Sequence, residues 1–313
     1  MSTQANAMPK SNINQPVRQR RPRPDLPYGK QLAYQVLLLV IAFIVLFPIL
    51  WVVSLSLDPR NISRPTELSL IPPGASFAAY EKVLQQPTAN PVSFGQLAFN
   101  SLKLGVGVAL FSVAIGVSAA YVFSRFEIRG RRFLMLAVLA VLMLPSIGTI
   151  APLFVLLNKI QIGSTAADSL RNSLLGVGLA ITSGALPFSI WNLKGYLDTI
   201  PRDLEEAARI DGATINQTFL QIVLPLAVPA LAVTFFLGFL SGWTEFALSW
   251  QFLTRPPDFT LTMALWNMTG QYASTTPWSE FSAMSLLVAG PVAVVYLALQ
   301  KYIIGGLTLG SVK

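Results

Sequence analysis

The chain has no cysteine and no histidine, which removes structural disulfides, thiolate chemistry and imidazole metal sites. Charge is scarce as well. Only 12% of the 313 residues are Asp, Glu, Lys or Arg, about half of the roughly 25% usual in a soluble domain. That deficit excludes an ordinary soluble protein. Nucleotide fingerprints are missing too: there is no G-x-x-x-x-G-K-S/T loop and no Rossmann glycine turn followed by an acid. Without one, the chain is not expected to use ATP alone. No catalytic constellation stands out, and a Ser or Glu nucleophile would need a base other than histidine.

In place of charge stand long apolar runs. Among the charge-free stretches, six are long and predominantly apolar: 31–57, 104–124, 133–158, 172–193, 212–244 and 281–300. A helix needs about 20 apolar residues to cross the hydrocarbon core, so each stretch is long enough. Alternating strands would not produce such runs. The expected fold is an all-α membrane protein with six transmembrane helices. The first run is too long for a signal-peptide core and follows a polar stretch, so a retained anchor helix is expected.

Lys and Arg counts in alternate connections set the orientation. One side holds Lys10, Arg18, Arg20, Arg21, Arg23 and Lys30, then Arg125, Arg129, Arg131 and Arg132, then Lys194, Arg202 and Arg209, and finally Lys301 and Lys313. The other side holds Arg60, Arg64, Lys82, Lys159, Arg171 and Arg255, with Lys103 at a membrane boundary. Both termini are therefore expected in the cytoplasm. The net charge of +8 follows from this bias and needs no nucleic-acid partner.

Residues 1–30, rich in Pro, Gln, Asn and Arg, are expected to be a disordered basic segment. Residues 31–300 form the six-helix domain, and 301–313 a cytoplasmic tail. The outer loop 58–98 is expected to contain a short helix capped by Ser76, with Phe77, Tyr80 and Leu84 on one face. It reads as a lid on the bundle or as a partner-docking surface. Pro48, Pro145, Pro152, Pro187 and Pro291 are potential kinks. Ser112, Gly116 and Ala120, and likewise Gly238 and Gly242, recur at spacing four and permit close helix approach. Glu245 interrupts the fifth run. It reads either as a residue of the translocation path or as an interhelical hydrogen-bond partner.

The fourth connection, 194–225, holds the densest acidic cluster: Asp203, Glu205, Glu206 and Asp211. Thr199 can cap a helix there, with Pro201 near its first turn and the acids at its positive end. Gly212 is a natural stop. Thr214 and Gln217 have capping-box spacing for a second helix, which leads to Pro225 and the fifth span. Helix-end electrostatics accounts for the acids. The low profile of Ala207, Ala208 and Gly212 suits a partner's groove.

This segment resembles the cytoplasmic motif E-A-A-x-x-x-G-x9-I-x-L-P of bacterial ABC importer permeases. Glu206, Ala207, Ala208, Gly212, Ile222, Leu224 and Pro225 match it throughout, with Asp211 before the glycine. Asn100-Ser101, RFEIRGRR from Arg125, WTEF around Glu245 and the ending GGLTLGSVK extend the likeness from about residue 30 onward. It is similar to the carbohydrate-uptake branch, nearest to the MalG-type subunit of maltose/maltodextrin importers. The resemblance implies a type I ABC importer permease fold, without an enzymatic site, in the bacterial inner membrane. It implies a second homologous permease, an ATPase dimer that uses ATP and Mg, an extracytoplasmic sugar-binding protein and a sugar as partners. It further implies that the motif from Glu206 to Pro225, within the cytoplasmic loop 194–225, is a coupling segment on the ATPase. By the same resemblance Gly305, Gly306, Leu307, Thr308, Gly310, Val312 and Lys313 reach the ATPase dimer. Trehalose, other oligosaccharides and glycerol phosphate stay open as solutes. A secondary transporter with Glu245 as ion relay is the alternative class.

Overall fold

The computed structural model describes residues 27–61, 70–165, 168–269 and 275–309, with the backbone alone for Ser146 and 304–309. In chain order the helices are α1 Tyr28–Ser56, α2 Ala78–Gln85, α3 Phe94–Arg125, α4 Arg131–Leu142, α5 Ser146–Asn158 and α6 Leu174–Leu197. There follow α7 Asp203–Ile210, α8 Ile215–Thr218, a π turn Phe219–Val223, α9 Leu224–Leu226 and α10 Val228–Trp243. The last are α11 Ala247–Phe252, α12 Leu261–Asn267 and α13 Trp278–Leu309. Among the described residues there is no strand, only an isolated bridge between Gln161 and Ser169. The expected disorder of 1–30 lies mostly outside the described residues, and Tyr28 already starts α1.

Two compact units divide between Ile49 and Leu50. The described part of the first is the opening of α1, apolar on every side, as suits a helix surrounded by lipid or other helices. The second is organised around α3, which supplies residues to three apolar clusters. Leu97 and Ala109 meet Phe239, Trp243, Leu261 and Met284. Leu104 and Val108 meet Val177, Ile181, Phe252 and Met263. Val117, Ala120 and Tyr121 meet Leu193, Leu197, Val223 and Ala230. One long helix thereby holds α6 and α10 along most of its length.

Small residues make that contact possible. A Cβ placed on Gly242 would lie 2.7 Å from the Leu104 carbonyl oxygen and 2.8 Å from Gly105 Cα. At Gly238 it would lie 2.9 Å from Ala109 Cα. These are backbone contacts, so neither position has room for a side chain.

Among the described residues four helices, α1, α3, α6 and α13, are each long and apolar enough to cross a membrane. The runs expected as single helices at 133–158 and 212–244 are instead broken. The α4–α5 pair bends by 103°, and the α8–α9 segment meets α10 at 76°. Proline explains both breaks. Pro145 disfavours helical backbone at Leu144 and offers no N–H. Pro229 cannot bond back to Pro225, and its ring would collide with that carbonyl. Pro48, Pro152, Pro187 and Pro291 stay inside helices.

The short helix of the outer loop exists as α2, but Ser76 does not cap it. Phe77 occupies that position without a side-chain bond. Its inward residue is Val83, fully buried, whereas Phe77 is 70% exposed. Lys82 pairs with Glu280 of α13 at 2.6 Å, and Tyr80 bonds Ser56 at 2.8 Å. At the same end of α3, the buried Asn100 amide donates to the Pro257 and Phe259 carbonyls at 2.7 and 3.0 Å. Ser101 Oγ accepts from the Leu261 N–H at 2.9 Å. The Asn-Ser pair thus satisfies the backbone of a loop more than 150 residues away.

Candidate functional site

At the other end of α3 the chain leaves α6 and builds the acidic segment. Thr199 is not the cap of the next helix, because its hydroxyl donates to the Tyr196 carbonyl at 2.7 Å and closes α6. Arg202 precedes α7 without a side-chain cap. Asp203, Glu205 and Glu206 fill the first turn, and Arg209 the last, matching the helix dipole at both ends. Gly212 stops the helix with φ +86°. Its N–H donates to Arg209 O at 3.0 Å, and the Ala213 N–H donates to Ala208 O at 2.9 Å. That pair of hydrogen bonds is the Schellman ending, which needs a left-handed residue where glycine stands. Thr214 and Gln217 then form a complete capping box for α8.

Two faces of α7 do different work. Glu205 and Ala208, three residues apart, are buried against the bundle. The Glu205 carboxylate pairs with the Arg125 guanidinium at the end of α3, with side-chain exposures of only 3% and 6%. Tyr121 donates to the same carboxylate at 3.0 Å, and Arg125 also donates to the Ile200 carbonyl at 3.1 Å. Arg202 donates to the Ser124 carbonyl at 3.0 Å. The Ser124 hydroxyl donates to Asp198 at 2.6 Å. Burial works against the Asp198 charge, yet Lys194 and Ser124 outweigh it and hold the carboxyl below its usual range. So α7 is bonded to α3 and to the end of α6.

The opposite face is open. Glu206, Ala207, Asp211 and Gly212 are exposed, with Leu204 at 45% and Ile210 at 87%. An apolar strip edged by acids therefore points away from the protein. Beyond α8, the Leu224 N–H bonds back to Phe219 O across a π turn. The wider turn relieves the collision that the Pro225 ring would make with the preceding carbonyl. Ile222 and Leu224 are half-buried there, Pro225 is exposed, and the Phe219 ring lies 4.7 Å from that of Tyr121.

Glu245 lies far from this cluster. Its carboxylate accepts from the Leu248 and Ser249 N–H groups at 2.6 and 2.8 Å and from the Ser249 hydroxyl at 2.6 Å. It caps α11, and it also lines a cavity of about 850 Å3 with Ser183 and Ser241. The carboxylate bonds are therefore local, to residues three and four positions on, and the expected bond to another helix is not formed. Gly305, Gly306, Leu307 and Thr308 lie in the backbone of α13, while Gly310, Val312 and Lys313 fall outside the described residues.

The binding-protein-dependent transport system inner membrane component family matches residues 112–308. The chain belongs to that family. It is 32% identical over 286 residues to the galactooligosaccharides transport system permease protein GanQ of Bacillus subtilis, covering 91% of this chain and 96% of the relative. It is 33% identical over 287 residues to the maltose/maltodextrin transport system permease protein MalG of Yersinia pestis, covering 88% and 91%. To the trehalose transport system permease protein SugB of Mycobacterium tuberculosis it is 32% identical, over 86% and 92%. The fold is similar to a chain of a bacterial ABC transporter that imports the acidic polysaccharide alginate. The TM-score is 0.70 at 23% identity, over 89% of this chain and 99% of that one.

For this inner membrane component, the region matched by the family runs from the middle of α3 to the end of α13 and contains α7 whole. Of the residues singled out in the sequence, Glu206, Ala207, Asp211 and Gly212 are exposed, whereas Ala208, expected on the same low face, is buried against the bundle. Sequence reasoning passed over Glu205, Arg125 and Tyr121. The signal was present in the spacing, since Glu205 and Ala208 share a helix face and Glu206 points elsewhere.

Proposed function

We propose that the chain is the permease subunit of an ATP-binding cassette sugar importer, crossing the membrane six times with both termini cytoplasmic. The observation that carries this is the two-faced α7, fixed inward by Glu205 and open outward along Leu204, Ala207 and Ile210. An amphipathic helix held in this way fits a groove on another protein. We assign that groove to an ATPase dimer, which binds the ATP and Mg. Glu206, Ala207, Ala208, Asp211, Gly212, Ile222, Leu224 and Pro225 form the coupling segment. We assign the C-terminal residues Gly305–Lys313 to the same dimer, and the basic residues that precede α1 to the cytoplasmic side. A second homologous permease and an extracytoplasmic sugar-binding protein complete the complex.

Closure of the ATPase dimer displaces α7. The Arg125–Glu205 pair passes the displacement to α3, and the α8–α9 segment passes it to α10. Since α3, α6 and α10 share their apolar clusters, they move together and open the cavity at Glu245 to alternate sides. The solute is a di- or oligosaccharide. Relatives named for galactooligosaccharides, trehalose and maltose/maltodextrin are equally similar, which favours none of the three. An ion-relay role for Glu245 is disfavoured, since both carboxylate oxygens already hold the start of α11.

The test is Glu206→Lys in the reconstituted complex. Reversing a charge at an interface is worth several kcal/mol, so sugar uptake and stimulated ATP hydrolysis should fall by about tenfold or more. The unfolding midpoint of the chain should shift only slightly, because the exposed Glu206 loses no more than its helix-dipole stabilisation of about 0.3–1 kcal/mol. Uptake and hydrolysis at the parent rate would overturn the assignment of α7.

A further inference from the structure

A second feature lies beside the coupling segment and is not used by it. Between the first turns of α4 and the last turns of α6 runs a groove of about 550 Å3. Arg131, Arg132 and Lys194 stand at one end, and Met135, Leu139 and Trp191 form its apolar wall. Asp198, the acid in the groove, is already held by Lys194 and Ser124. Among the described residues, neither the Arg131 nor the Arg132 guanidinium has an ion-pair partner within salt-bridge distance. Three cations against one acid leave two positive charges over.

The order of these groups along the helix identifies the ligand. Arg131, Met135 and Leu139 are four residues apart and share one face, at about 6 Å and 12 Å along the axis from the arginine. Charge is therefore at the helix start, and grease continues from it in one direction. Trp191, half exposed, stands one turn inward of Lys194, the placement of an aromatic at a membrane interface. A free anion would use the cations and leave the apolar wall without a role. An amphiphile with an anionic head uses both.

We propose that this groove binds an anionic phospholipid, its phosphate at Arg131 and Arg132 and an acyl chain along Met135 and Leu139. The proposal rests on the reading above that this end of α4 and α6 lies at a membrane surface. Basic pockets between membrane helices are suited to such headgroups. The bound lipid would brace the junction from which α7 departs.

The experiment is native mass spectrometry of the full chain released from nanodiscs, with phosphatidylglycerol titrated into phosphatidylcholine. The parent chain should retain phosphatidylglycerol preferentially. Each basic residue near an anionic lipid surface is worth a factor of about five, so Arg131→Gln/Arg132→Gln should weaken retention by roughly thirtyfold. Arg131→Lys/Arg132→Lys keeps the charge and should keep most of the binding. If the glutamine pair does not fold, Met135→Glu, which puts an acid in the wall, should lower retention in its place. Excess inorganic phosphate should not displace the lipid. Equal retention of both lipids, an unchanged affinity in the glutamine pair or the Met135→Glu variant, or displacement by inorganic phosphate would each overturn the proposal. The measurement needs neither ATPase nor sugar, so a negative result leaves the transport reading intact, and a failed transport test leaves this one standing.

Discussion

Arg125→Ala is expected to cost about 3–5 kcal/mol of stability and to abolish coupled uptake. The guanidinium is the partner that balances the Glu205 carboxylate, and both side chains are almost fully enclosed. Removing it strands a charge where little water reaches, with the Tyr121 hydroxyl as its remaining bond. The bond to Ile200 is lost at the same time, so the segment entering α7 loosens as well. Replacing both partners with apolar residues, Arg125→Met/Glu205→Leu, leaves no stranded charge and should recover most of the stability. Tyr121→Phe removes one bond to a charged group and should cost about 1.5–3 kcal/mol. Chemical denaturation of the three variants checks the order. A loss in Arg125→Ala no larger than in Tyr121→Phe would mean that the ion pair does not hold α7.

Gly242→Val is expected to be the most damaging change at the α3–α10 contact. Its new Cβ would meet the backbone of Leu104 and Gly105 at 2.7–3.0 Å, and backbone cannot turn aside as a flexible side chain can. The helices must separate, which opens the cluster that holds Phe239 and Trp243. Overpacking typically costs about 1–3 kcal/mol, and contact with main chain belongs at the upper end. Uptake should fall with stability if, as proposed above, α10 receives its motion from α9 and shares it through α3. Gly107→Ala, on the same α3 but with nothing within 4 Å of its Cβ, is the control and should change little. A comparison of unfolding midpoints decides. Equal effects at Gly107 and Gly242 would remove close packing as the reason for the Gly238 and Gly242 spacing.

Much of this was legible in the sequence where a local rule was the deciding force. Charge-free runs marked the four long helices α1, α3, α6 and α13, Gly212 the left-handed stop and Thr214 with Gln217 the capping box, because each depends on local sequence. Longer-range competition decided the rest. Thr199 stands between two helices, and its hydroxyl bonds the end of α6 instead of capping α7. Val83, rather than Phe77 and Leu84, became the inward residue of α2, since what it packs against lies far along the chain. The bend at Pro145 fell at a proline marked as a potential kink, but Pro48, Pro187 and Pro291 carry the same signal inside unbroken helices, and Pro229, where the second bend lies, was not singled out. Glu205 was hidden by Glu206, its more recognisable neighbour. Its partner Arg125 stands 80 residues earlier, and no local pattern joins them.

The central claim is that the open face of α7 sits in an ATPase subunit. The chain has no cysteine, so Ala207→Cys supplies a single thiol on that face. Ser164→Cys supplies one on an exposed loop at the opposite end. With a short thiol-reactive photocrosslinker in the assembled complex, Ala207→Cys should capture the ATPase subunit and Ser164→Cys should not. Capture of the ATPase from position 164, or none from 207 in a complex that retains it, would contradict the claim.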